Sequence, residues 1–239
     1  MSDKLNSLEI AVVTFAFIGV AVGVIGANIS VDWFEEIYAV EDGIIENLTL
    51  VPLFVIIVVG ITYIKNLRFI RSKLFVIIIS LSVLFAAFVI GEEISWGQRV
   101  FNVESSAFFL ENNAQQETNL HNLVVGGQKI NKIVFSQLII VCLAFYLILL
   151  PWLYHKKPKW QQFIDYAGIP LPRTYQIIAC LVLFISISFI PSGKNAEILE
   201  FGITHLFALI YVFPKNKHIF RKKNRFQQSS SSQVHNKVA

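Results

Sequence analysis

The chain has 239 residues, 55% of them hydrophobic and only 15% charged, with a mean hydropathy of +0.61. That apolar surplus exceeds what a single soluble core of this size consumes, and it points to a bilayer. The formal net charge of +4 follows from where basic loops lie, so it calls for no nucleic-acid partner.

A helix crosses the roughly 30 Å of hydrocarbon with about 20 mostly apolar residues. Six runs answer to this, near 8–30, 44–64, 74–91, 133–154, 175–191 and 196–213, which predicts an all-α polytopic membrane protein with membrane lipids as its surroundings. The first run is read as a retained span: its apolar stretch outlasts the roughly 7–15 residues of a signal core, and Ile25-Gly26-Ala27 is a poor cleavage site. Cys142 and Cys180 lie inside apolar runs and read as small hydrophobes.

Positively charged residues collect in cytoplasmic loops. With the N-terminus inside, sixteen of the twenty Lys and Arg fall on the cytoplasmic side, and only Arg99, Lys129, Lys132 and Lys194 fall outside. Six spans with both termini in the cytoplasm is the consistent solution, with a bacterial inner membrane as the expected location. On this reading residues 1–214 form the transmembrane domain, and the basic tail 215–239 is disordered.

Acidic residues take the other side. Thirteen of sixteen Asp and Glu lie at or beyond the outer helix ends, although positive-inside sorting places little constraint on acids. The first outer loop holds Glu41, Asp42 and Glu46, beside Trp33, Phe34, Ile37 and Tyr38, which suit the membrane interface. The third span closes on GEEISWGQRVF. If its helix runs on, Glu92, Ser95, Trp96 and Arg99 share one face, with Glu93 and Gly97 beside it. Glu92 and Arg99 would stand about 10 Å apart along the axis, so Arg99 is expected to pair with a carboxylate from elsewhere.

The long outer loop 100–132 carries ENNAQQETNLHNLVVGG. It reads as a short interfacial helix ended by Gly126-Gly127, with Leu120, Leu123 and Val124 on its apolar stripe and Glu117 and His121 four apart on the polar face. On the cytoplasmic side, Trp160, Phe163, Ile164 and Ala167 recur at helical spacing ahead of Pro170 and Pro172 and predict a second interfacial helix. The sixth span opens NAEILEFGITHLF, placing Glu200 about 6 Å and His205 about 13 Å along its axis from Ala196. Ionisable groups at such depth are expensive unless paired, hydrated or neutral.

The candidate catalytic groups are therefore Glu92, Glu93, His121 and Glu200, with Ser95 ranked below them for want of a GxSxG setting. Glu46, Trp96, Gln98, Arg99 and Asn119 are candidates for substrate binding. A divalent metal would draw on Glu117, His121 and His205, but a lone Glu-x-x-x-His is a weak ligand pattern. The competing reading makes His205 a neutral imidazole bridging two helices, and His121 a hydrogen-bonded interfacial residue.

The strings EDGIIENLT, GEEISWGQR and QQETNLHN, in this order over about residues 41–122, resemble a family of bacterial multi-pass membrane proteins to which no reaction is assigned. The Glu, Ser and His content also invites comparison with membrane metal hydrolases of the alkaline ceramidase type, whose His-rich ligand set is missing here. The functional expectation is an enzyme with an outward-facing carboxylate and histidine site acting on a lipid or lipid-linked substrate. A structural or assembly subunit docking partner membrane subunits is the rival. A transporter ranks lower, because the inner halves of the spans are nearly uncharged.

Overall fold

The computed structural model describes residues 4–120, 122–125, 128–129 and 141–222. Eight helices organise these residues: α1 (Ser7–Ile29), α2 (Ile44–Leu67), α3 (Lys73–Glu93), α4 (Ala107–Asn112), α5 (Val141–Lys156), α6 (Pro158–Ala167), α7 (Thr174–Ile187) and α8 (Asn195–Val212). Four of them, α1, α2, α3 and α8, are long and apolar enough to cross a membrane, and the protein is membrane-embedded. α5 and α7 are shorter apolar helices. Of the expected fourth span, residues 133–140 lie outside the described residues.

Two of the long helices, α1 and α3, start where a side chain takes up a free amide. Asn6 accepts from the Glu9 amide at 2.8 Å while the Glu9 carboxylate accepts from the Asn6 amide at 2.9 Å, a reciprocal cap for α1. Ser72 caps α3 by accepting from the Phe75 amide, and its hydroxyl donates to the Tyr166 carbonyl of α6. Between α1 and α2 the chain turns back through a wide helical turn, Phe34–Tyr38. Tyr38 donates to the Gly19 carbonyl at 2.6 Å and stacks on Trp33. The aromatic loop therefore lies along the C-terminal half of α1.

Helix α8 is the axis of the bundle. Half of its apolar window is buried inside the protein, against 22% to 33% for the other three long helices, and its hydropathy is the lowest of the four at 1.2. One face joins α1, α5 and α7 through Ile198, Phe201, Leu206 and Ile210; the other joins α2 and α3 through Ala208 and Tyr211. The outward faces of α1, α2 and α3 expose Ile18, Ile25, Phe54, Val58, Leu84 and Phe85, an apolar surface that suits hydrocarbon and would be a liability in water.

Helix α6 forms where the spacing of Trp160, Phe163, Ile164 and Ala167 predicts a helix, with Ile164 and Ala167 buried and Trp160 and Phe163 exposed. It ends at Gly168, whose φ of 73° is left-handed. A Cβ there would sit 2.3 Å from a ring carbon of Phe75, which is fully buried and has no room to yield. Gly168→Ala should therefore destabilise the fold by about 2–4 kcal/mol, combining backbone strain with overpacking, as read from denaturant titration in detergent.

Two expectations are corrected. The packed chain does not stop at 214: the turn Lys217–Phe220 buries Ile219 and Phe220, the latter against Tyr63 and Phe75. Aromatic burial overrides the basic composition there; residues 223–239 lie outside the described residues. In the outer loop the helix is α4, upstream of the segment expected to be helical. Residues 113–119 form turns tied by the Asn113 and Asn119 side chains, and Val124–Val125 pairs antiparallel with Gln128–Lys129. The Asn-rich stretch offers its backbone side-chain partners that compete with helix formation.

Candidate functional site: a carboxylate cluster at the acidic end of the bundle

α3 does not continue through GEEISWGQRVF. Ser95, Trp96 and Gly97 are left-handed in succession, with φ of 47°, 54° and 75°, so the shared helical face expected for Glu92, Ser95, Trp96 and Arg99 does not exist. Two non-glycine residues in this region cost about 1–3 kcal/mol each and persist only where surrounding contacts fix them. Those contacts are present. The Trp96 indole donates to Glu92 at 2.9 Å, and its ring lies on Gly91, where a Cβ would sit 2.9 Å from it. The Ser95 hydroxyl donates to Glu117 at 2.5 Å and accepts from the Asn119 amide at 2.9 Å.

This reversal anchors the long loop that follows α3. The other Glu92 oxygen accepts from the Leu120 amide, and Gln98 accepts from the Thr118 amide and the Ser105 hydroxyl. Arg99 grips Glu117 with two donors, at 2.5 and 2.6 Å, and pairs with Asp42 of the loop between α1 and α2. Arg99 thus does find its carboxylates on other segments. The hydrogen bond to Glu117 raises its pKa, which fixes the guanidinium as charged. Ser95, Asn119, Asn113 and Glu92 are all buried within this network. Of the sequence candidates, Glu92, Trp96, Gln98, Arg99, Glu117 and Asn119 are held here, in contacts that shape the loop.

Glu93, one residue beyond Glu92, points about 100° away and enters a different environment. Its carboxyl lies beside that of Glu200 of α8, with Glu46 of α2 and Glu197 of α8 close enough to repel it. Glu46 in turn faces Glu197, Glu41 and Glu117. Four carboxyl groups thus meet where the start of α2, the end of α3 and the start of α8 come together, each of them only partly buried. Local structure aids this concentration: Glu46 and Glu197 occupy first turns of their helices, where the helix dipole favours an anion. Glu46 also accepts from the Asp42 amide at 2.6 Å.

Two carboxyl groups placed side by side repel when both are ionised and attract when one of them carries the proton. The two cations of this end with described side chains are committed elsewhere, Arg99 to Glu117 and Asp42, and Lys194 in part to the Glu35 carbonyl at 3.0 Å.

His205 does not join the cluster. Its Nδ1 sits 2.7 Å from the Phe201 carbonyl and its ring packs between Phe15 of α1 and Phe201, as a buried imidazole does when it joins helices. His121 lies outside the described residues. Among the described residues no three His, Cys, Asp or Glu side chains are arranged to hold a metal ion. Glu197 is absent from the sequence candidates although it stands one turn before Glu200 on the same helix, and that spacing was its signal.

No family model, no curated protein and no solved structure matches this chain.

Proposed function

We propose that the protein is an integral membrane enzyme acting on a lipid or lipid-linked substrate, with Glu93 and Glu200 as the acid–base pair. The single observation that carries this reading is the gathering of Glu46, Glu93, Glu197 and Glu200 at the ends of three long helices, with Glu93 and Glu200 side by side. Nothing in helix packing calls for four like charges at one place; ionisable groups gathered at membrane level mark functional sites. In a hydrolytic step the protonated member of the pair gives its proton to the departing oxygen, while the other takes a proton from the attacking water. Glu46 and Glu197 set the field in which the pair exchanges its proton.

With α5 and α7 completing six spans, sixteen of the twenty basic side chains face the cytoplasm of a bacterial inner membrane and the carboxylates face outward. Arg99, Gln98 and Asn119 are assigned to holding the loop over the site, and the likeness of EDGIIENLT, GEEISWGQR and QQETNLHN to a bacterial membrane family fits a site built from these segments.

The rival, an assembly subunit, draws on the Asp42–Arg99–Glu117 clamp, which ties two outer loops together without any chemistry. The two readings separate in liposomes of total bacterial lipid extract. Wild-type protein should generate a new lipid product by mass spectrometry, and Glu200→Gln of equal helical content should generate none. Absence of any product from wild-type protein across anionic, zwitterionic and polyprenyl-linked lipids would leave the assembly reading in place.

A further inference from the structure

At the opposite end of the bundle from the carboxylates lies a cavity of about 350 Å³, framed by the segment before α1, the ends of α2 and α8, the residue before α7 and the turn Lys217–Phe220. Five cations line it, Lys4, Arg173, Lys215, Lys217 and Arg221, against one carboxylate, Glu9. That carboxylate is already used: it is buried, paired with Arg173, and accepts from the Tyr175 hydroxyl at 2.6 Å and the Asn6 amide at 2.9 Å. The space is therefore bounded by an excess of positive charge.

The cations are held in place by the fold. The Lys215 amide donates to the Leu171 carbonyl, and its ammonium meets His155. Asn216 is buried and bridges Leu171, Ile169 and Asp165. Arg71 donates to the carbonyls of His218 and Arg221, fixing the turn that carries Lys217 and Arg221. Helices α1 and α7 both begin at this cavity, so their dipoles add to the positive potential. A cavity of this charge at a membrane–water boundary, floored by Phe213, Pro214 and Phe220, suits an anion whose charged group meets the cations while an apolar part meets the rings.

From this geometry we infer that the basic cavity is a binding site for a phosphate-bearing anion, presented by an anionic phospholipid headgroup or as free phosphate. It is separate from the carboxylate cluster and does not depend on the reaction proposed there. The full chain, delipidated in detergent, should retain phosphatidic acid over phosphatidylcholine by about tenfold or more, as read by native mass spectrometry. The pair Lys217→Gln and Arg221→Gln should remove most of that preference at unchanged helical content. Lys156→Gln with Lys159→Gln, exposed at the same end but outside the cavity, should leave it intact. Lys4→Gln, in the exposed segment before α1, provides a second test should the first pair disturb folding.

Displacement of phosphatidic acid by inorganic phosphate would identify a free anion as the ligand; retention of phosphatidic acid in its presence would identify the headgroup. Either supports the site. Equal retention of the two lipids with no phosphate binding, or an equal loss in the Lys156 and Lys159 pair, overturns it.

Discussion

Glu93→Gln should lower lipid turnover about 10²- to 10⁴-fold, the range a positioned acid or base contributes, while leaving the protein folded. Glutamine keeps the shape of the side chain, and its amide offers Glu200 both a donor and an acceptor. What it removes is the ability to exchange a proton. It also removes one of four mutually repelling groups, so unfolding in denaturant should occur at the wild-type concentration or a higher one. Activity and stability thus move apart. Glu92→Gln, one residue away, acts on the contacts to Trp96 and Leu120 and should change stability and loop order together. Wild-type turnover in Glu93→Gln, from initial rates in the same liposomes, would remove the carboxyl pair from the chemistry.

Glu9→Ala should cost about 3–5 kcal/mol of stability, the range for breaking a buried ion pair by removing one partner. The carboxylate is 2% exposed and the Arg173 side chain that meets it 12%. The same group caps α1 through the Asn6 amide and accepts from Tyr175 of α7. Truncation therefore withdraws the anion from between an Arg and a Tyr in a setting where water does not replace it, and frees the first turn of α1. Glu9→Gln, which keeps an acceptor oxygen, should lose less. Unfolding titrations of both variants in mild detergent measure the difference; equal stability of wild type and Glu9→Ala would show that the pair contributes nothing.

The four long helices were legible because an apolar run of about 20 residues admits few alternatives, and the ends read from the sequence differ from the observed ones by only a few residues. The concentration of acids at one end was legible as well, since the loops carry them in clear excess. Which acids meet was not. Helical periodicity carries Glu92 and Arg99 onto one face, but the chain reverses at Ser95 and Trp96, and neither residue announces a left-handed backbone as glycine does. The contacts that hold the reversal join residues 20 to 28 positions apart through Asn, Gln and Glu side chains, a kind of pairing that leaves no periodic trace. The Glu9–Arg173 pair joins positions 164 apart and was invisible for the same reason. Lys217–Phe220 was misjudged because composition counts its basic residues and overlooks that two apolar ones among them suffice to dock a turn.

α8 combines the weakest hydropathy of the four long helices with the greatest burial. α1, α2 and α3 expose more of their apolar surface, whereas α8 sets more of its own against its companions. The helix that carries Glu197 and Glu200 is thus the one most enclosed by its neighbours, and the packing that encloses it also builds the carboxylate site.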